Sequence, residues 1–331
     1  MNRLSIIPKS GLSYRLSRSL VWRTPCLARL GLLSPHIRSG LGLAGAARLS
    51  STKKHPEPED EDKYVYFGDR RVDRELKRKL IDNVFTSVSS KYDLMNDLMS
   101  LGLHRCWKDV FVDNIISPES FLRIKREDSD NFSDVTILDV AGGTGDISFR
   151  IVDKLRKDNM EVFPRIMVID SNSEMLQQGQ LRSLKKGDSN IIWIKDDGEK
   201  LEQIPSNSVD VVAISFGIRN FADIEKGLRT FYRVLKPGGR FLCLEFSKVN
   251  NPLISSIYQL YSSIVIPNLG ELVVGDKESY DYLVESIRRF PDAEGFAQLL
   301  IDANFTDVKS STMTFGVVAI HSGFKPVETS D

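Results

Sequence analysis

"TILDVAGGTGDISF", residues 136–149, decides the fold. Thr136 to Val140 read as a short apolar strand broken only by Asp139. Ala141 to Gly145 form a glycine-rich turn, and Asp146 opens an amphipathic helix. A strand that meets a glycine turn and then a helix is the floor of a ligand site in an open parallel sheet. There, ligands sit beyond the carboxyl ends of the strands, at the point where strand order reverses.

The chain outward from this unit repeats the alternation. Apolar β-rich runs occur at 165–170, 191–195, 209–214 and 240–246, with helical patterns at 146–157, 173–186 and 223–235. Continuous apolar strands between helices predict a parallel sheet covered on both faces. "LKPGGR" (235–240) predicts a helix stop and a sharp turn into the next strand. Residues 293–304 predict a further helix, and "FTDVKSS" and "GVVAIHSGFK" two closing strands. Before the glycine turn, Leu76, Leu80, Ile81 and Val84 recur at helical spacing, predicting a helical cap over 72–116. A second, inserted helical segment is expected over 252–287. Residues 67–331 are thus read as one domain.

The turn itself excludes two ligands. A dinucleotide fingerprint needs a third glycine, but Gly143-Thr144-Gly145 is followed by Asp146, Ile147 and Ser148. A Walker phosphate loop needs a lysine, and the turn has none. Asp139 and Asp146 would instead repel a pyrophosphate. The next strand ends in Asp170, placed to accept two hydrogen bonds from a ribose diol. The third leads into Asp197-Gly198, where a carboxylate can accept from an adenine amine. Acids for an amine, a diol and an adenine, beside a helix N-terminus for one carboxylate, match S-adenosylmethionine. Each acid also has a local role open to it. Asp146 can serve the helix N-terminus, Asp170 a cap and turn, and Asp197 an ordinary turn.

Composition narrows the class. Residues 1–50 hold Lys9, seven arginines and no acid, which is the pattern of a mitochondrial transit peptide. Net charge is zero overall, so the leader's +8 leaves −8 on residues 51–331, a balance that argues against nucleic-acid binding. The charged stretch "KKHPEPEDEDK" predicts a solvated linker over 51–66. Cys106 and Cys243 outside the leader are too few for a disulfide framework. His104 and His321 are too few for a histidine-based metal site, so no metal is expected. The most apolar long stretch, 252–275, is interrupted by Gln259, Pro267, Gly270 and Glu271, short of the ~20 predominantly apolar residues a spanning helix needs.

Three stretches carry a family resemblance: the Asp139-to-Gly145 turn, with alanine where the usual methyltransferase motif has its first glycine; "YDLMNDLMSLGLHRCWK" (92–108); and "RVLKPGGRFLCLEFS" (233–247). "ISFGIRN" (214–220) and "YLVESIRRFP" (282–291) extend it. The chain resembles the ubiquinone/menaquinone biosynthesis C-methyltransferases from about residue 67 to 325. The resemblance implies a class I S-adenosylmethionine-dependent methyltransferase fold. This is an α/β, Rossmann-like architecture with a seven-stranded, mostly parallel sheet in the order 3-2-1-4-5-7-6, helices on both faces and a helical cap. It implies C-methylation of a polyprenylated methoxy-benzoquinol ring in ubiquinone biosynthesis, with S-adenosylmethionine as donor. The donor-binding positions it implies are Thr144, Asp170, Asp197-Gly198 and Ser215; Asp139 and Gly143 join them from the reading of the turn. Where this chain has Gly198, the family usually has alanine.

A ring carbon is a poor nucleophile unless a neighbouring hydroxyl is partly ionised, so a cation that stabilises phenolate and a base or positioned water are expected. Arg219 is the first choice for the cation, against a structural role paired with a carboxylate such as Glu245. His104 titrates in the useful range, although packing or capping would also account for it. Tyr92, Tyr280 and Arg288 are candidate substrate contacts. The helical segments can roof a tunnel for an isoprenoid tail, or pack only against the sheet or a second copy. The resemblance further implies a protein peripheral to the matrix face of the inner membrane, in a multi-protein ubiquinone-biosynthesis complex. A catalytically silent donor-binding scaffold, or a methyltransferase for another lipid-like acceptor, remains the alternative.

Overall fold

In the computed structural model, the structure describes residues 64–88 except 69, 92–117, 120, and 134–327 except 162 and 189. The leader 1–50 and most of the linker 51–66 lie outside the described residues. The linker's last three residues do not behave as linker. β1 (Tyr64–Phe67) pairs antiparallel with β2 (Arg70–Asp73) in a hairpin. Three helices follow: α1 (Arg74–Val88), α2 (Tyr92–Ser100) and α3 (Leu103–Ile115). The cap therefore starts two residues later than the helical periodicity suggests. Asp73 ends the hairpin and caps α1 by accepting from the Leu76 amide at 2.7 Å. Leu101 and Gly102, both at positive φ, break the α2–α3 join.

The sheet is built from β3 (Thr136–Val140), β4 (Arg165–Asp170), β5 (Ile191–Lys195), β6 (Val209–Ser215), β7 (Leu235–Phe246), β8 (Thr306–Met313) and β9 (Val318–Phe324). Their order is β5-β4-β3-β6-β7-β9-β8, which is the 3-2-1-4-5-7-6 order expected. The first five strands are mutually parallel, and β9 joins β7 and β8 antiparallel. Crossover helices α4 (Asp146–Lys157), α5 (Ser173–Lys186) and α6 (Ile224–Val234) connect them. After β7 come α7 (Pro252–Leu260), a π turn (Tyr261–Val265), α8 (Ile266–Val274), α9 (Lys277–Arg289) and α10 (Ala293–Asp302).

The two-residue period of each strand divides the core in two. Ile137, Val211, Leu242 and Leu244 face α3 and α4, where Phe111, Ile115 and Phe149 meet them. Leu138, Val140, Val212, Ile214 and Phe241 face α6 and α10, against Phe231 and Phe296. Each fully buried aliphatic or aromatic side chain contributes about 1.5–3 kcal/mol, so both faces are specified by burial.

Two local readings change. "LKPGGR" is not a free turn: the chain enters β geometry at Leu235, opposite Val209, and a register shift between Val209 and Val211 absorbs it as a bulge. Gly238 takes φ +80° there. In the inserted segment, Pro267 has no N–H to return to the carbonyl of residue 263, and the preceding turn widens to a π turn.

Candidate functional site

Adjacent strands β3 and β6 lie at the reversal of strand order, and beyond their ends the chain turns sharply. Ala141 at φ +51° and Phe216 at φ +54° hold left-handed conformations that cost a non-glycine residue roughly 1–2 kcal/mol each. The positions just past them explain why glycine follows: a Cβ on Gly217 would sit 2.8 Å from the Ala141 methyl, and one on Gly142 would sit 2.8 Å from Val168. The backbone therefore approaches closely at the strand ends and leaves a cavity of about 380 Å³ above them.

All seven donor-site residues expected from the sequence line that cavity: Asp139, Gly143, Thr144, Asp170, Asp197, Gly198 and Ser215. They are not equivalent. Asp139 is only 1 % exposed and accepts from the Ser148 hydroxyl at 2.7 Å, so it ties the strand to α4. Burial pushes its pKa up to about 7, against the hydrogen bonds from Ser148. Asp170 accepts from the Gly143 amide at 2.9 Å and the Asn172 amide at 2.8 Å, which fixes the glycine turn to β4. Burial raises its pKa, and the backbone donors oppose that rise. Asp197 accepts from the Glu199 amide at 2.9 Å and lies 3.6 Å from Arg78. The Ser215 hydroxyl is buried in the cavity wall with no partner, a polar atom left for a ligand. Backbone cradle, buried carboxylates and an unmatched hydroxyl fit an adenosine with an amino-acid arm, and the acids fit a pyrophosphate poorly.

A second cavity, about 230 Å³, lies under the cap between α1, α2, α3, the π turn and α9. Its lining is largely apolar and aromatic, with Met95, Trp107, Phe246, Tyr258, Tyr261 and Tyr282 among its walls. It takes in His104, Arg219 and Tyr280. Four residues line both cavities: Phe85, Lys108, Phe216 and Asn220. Sequence reading missed all four. Lys108 had a signal, since it lies one helical turn after His104, on an otherwise apolar buried face.

Arg219 is locked in place. Its guanidinium pairs with fully buried Glu245 at 3.1 Å and donates to the Phe216 carbonyl, and its Nε has no partner. The structural pairing is thus realised while the group still faces the second cavity. His104 donates through Nε2 to Asp97 at 2.8 Å, and its buried Nδ1 is unpartnered. Burial lowers its pKa. Tyr280 is buried against Gly270, where a Cβ would come within 2.1 Å of its ring.

Arg288 falls outside this arrangement. Tyr280, Leu283 and Ile287 share the face of α9 that meets the cavity. Arg288 lies one residue on, half-exposed, bonded to Ser263 at 2.8 Å, and lines a surface depression instead. The Tyr92 side chain lies outside the described residues. Among the described residues no group of histidine, cysteine, aspartate and glutamate could hold a metal ion, and no helix is long and apolar enough to cross a membrane.

A family model, the ubiE/COQ5 methyltransferase family, matches residues 73–325. Among similar relatives is an Arabidopsis thaliana protein named 2-methoxy-6-polyprenyl-1,4-benzoquinol methylase, mitochondrial. It is 47% identical over 273 residues, covering 78% of this chain and 89% of its own. Proteins of the same name from Dictyostelium discoideum and Homo sapiens are 42% and 41% identical. They cover 88% and 86% of this chain, and 96% and 89% of their own lengths.

Proposed function

Because the chain belongs to the ubiE/COQ5 methyltransferase family, we propose that it moves a methyl group from S-adenosylmethionine to a ring carbon of a polyprenylated methoxy-benzoquinol, in mitochondrial ubiquinone biosynthesis. One observation carries the reading: a cavity at the strand ends that bears several carboxylates adjoins an apolar aromatic cavity, the two sharing Phe85, Lys108, Phe216 and Asn220 as lining. Methyl transfer is an in-line displacement, so the protein's work is to align two ligands and keep water out. Donor and acceptor bound in adjoining cavities that share these lining residues can meet directly, which satisfies that requirement.

Asp170, Asp197 and Ser215 take the adenosine; Arg219, held by Glu245, orients the acceptor and favours its ionised hydroxyl. Tyr280 and His104 shape the acceptor cavity. A cavity of about 230 Å³ has room for a substituted ring and not for a long isoprenoid tail. The tail leaves past Leu101, which lines the cavity and is 82 % exposed. On the inserted segment, Leu253, Ile257, Leu260 and Ile264 form an exposed apolar stripe at helical spacing. That stripe supports peripheral contact with the matrix face of the inner membrane, or with other proteins of a biosynthetic complex, or with a second copy.

The test is incubation with labelled donor and a demethylated methoxy-benzoquinol, followed by locating the new methyl. A label on ring carbon is expected. A label on oxygen, or none with donor bound, would refute C-methylation.

A further inference from the structure

The reading above assigns the adenosine of the donor to the acids at the strand ends but leaves its amino-acid arm without a cation. Lys108 lies on α3 with its side chain 7 % exposed. Its one hydrogen bond runs from Nζ to Asp146 Oδ2 at 2.8 Å. An ammonium has three N–H donors, so two are unmatched by protein at a buried position, where an unpartnered charged donor is costly. Both cavities open onto this side chain.

Position selects the ligand group. Lys108 is bonded to Asp146, which follows the glycine turn directly and starts α4, and both residues line the strand-end cavity. Asp170 and Asp197 belong to the ends of β4 and β5, the adenosine side. The other cations lining this cavity are engaged elsewhere: Arg78 pairs with Glu199 at 2.8 Å and Lys79 with Glu75 at 2.9 Å. The donor carries one anionic group, an α-carboxylate, beside an α-ammonium. Asp146 faces the same cavity. Burial would raise its pKa, but Lys108 and Arg150 bring it down to about 2. A fixed positive and negative group side by side complement a zwitterion.

We propose that Lys108 is the positioning residue that holds the donor's α-carboxylate through the two N–H groups that Asp146 leaves unused. This rests on the donor assignment above. It fixes the amino-acid arm at the lining that the cavities share, and so sets the direction in which the sulfonium presents its methyl group.

Calorimetry on the full chain separates this role from the others, using S-adenosylhomocysteine and 5′-methylthioadenosine, which shares the thioether, ribose and adenine but lacks the amino-acid arm. Lys108→Met should weaken S-adenosylhomocysteine about 10- to 100-fold, the usual range for a hydrogen bond to a charged group, and leave methylthioadenosine within about twofold. Equal losses for both ligands, or no loss for either, overturns the proposal. Should Lys108→Met fail to fold, the wild-type chain supplies the readout with decarboxylated S-adenosylhomocysteine: a preference for the carboxylated ligand below about twofold overturns it. If the wild-type chain binds neither adenosine ligand, the donor assignment itself falls.

Discussion

Arg219 Nη1 lies 3.1 Å from Glu245 Oε1, and the two side chains are 6 % and 0 % exposed. A buried pair of this kind is destabilising mainly when broken, because the remaining charge has no water and no partner. Arg219→Ala should therefore cost about 3–5 kcal/mol of stability, measured by denaturant unfolding. Adding Glu245→Gln should recover much of that. Turnover of the double variant then decides the role of Arg219. Restored stability with turnover still at least tenfold down supports action on the acceptor; restored turnover assigns Arg219 to the fold alone.

Asp170 joins the glycine turn to β4 through two backbone amides. Asp170→Ala should lower donor affinity by more than tenfold, since hydrogen bonds to charged groups contribute about 1.5–3 kcal/mol each. Calorimetry with S-adenosylmethionine reads this directly, and unchanged affinity would remove Asp170 from the donor site.

Glycines in the site differ in what they tolerate. At Gly145, φ is +79° and a Cβ would lie 2.5 Å from the Trp193 ring. Left-handed strain of about 1–2 kcal/mol adds there to an overpacking cost of about 1–3 kcal/mol. At Gly198 φ is ordinary, and a Cβ would meet Phe221 and Val140 at 3.0 Å. Gly198→Ala should thus cost under about 1.5 kcal/mol and leave donor binding within a few-fold. Thermal unfolding of both variants checks the order, and a larger loss at Gly198 would contradict it.

Two buried groups give opposite pH slopes. Asp139 titrates near 7 because burial disfavours its charge. Its folded pKa is raised above the ordinary 3.8, so stability falls as pH rises from about 4 to 7, by roughly 4 kcal/mol at most. His321 is held down to about 4 by burial. Its folded pKa is below the ordinary 6.5, so stability rises between pH 4 and 6.5, by roughly 3 kcal/mol at most. Asp139→Asn should therefore gain on the wild type as pH climbs to 7, and His321→Gln should lose on it. Unfolding free energies at half-unit pH steps show both differences; a flat difference for either variant rejects its assignment.

The parallel strands, their crossover helices and the acids at their ends were legible because each depends on residues near in sequence. Thr136–Val140 alternates its side chains between two faces whatever lies elsewhere. The Asp139-to-Gly145 turn needs only its own backbone to bend. The hairpin at 64–73 was not legible. Its strands are four residues each, and Phe67 gains its burial by stacking 4.2 Å from the ring of Tyr282, far along the chain. That Arg288 lies off the cavity was not legible either, because "SIRRF" does not reveal which face of α9 meets it.

By itself, then, the sequence determined a parallel sheet with a phosphate-free donor turn, since strand period and turn chemistry are properties of the local backbone. Tertiary structure decided which charges are matched to one another and which remain for a ligand. Glu245 lies 26 positions from Arg219, and Asp146 lies 38 from Lys108. Only folding removes the water that would otherwise satisfy such groups. Their pairing in the interior leaves the Ser215 hydroxyl and two Lys108 donors open.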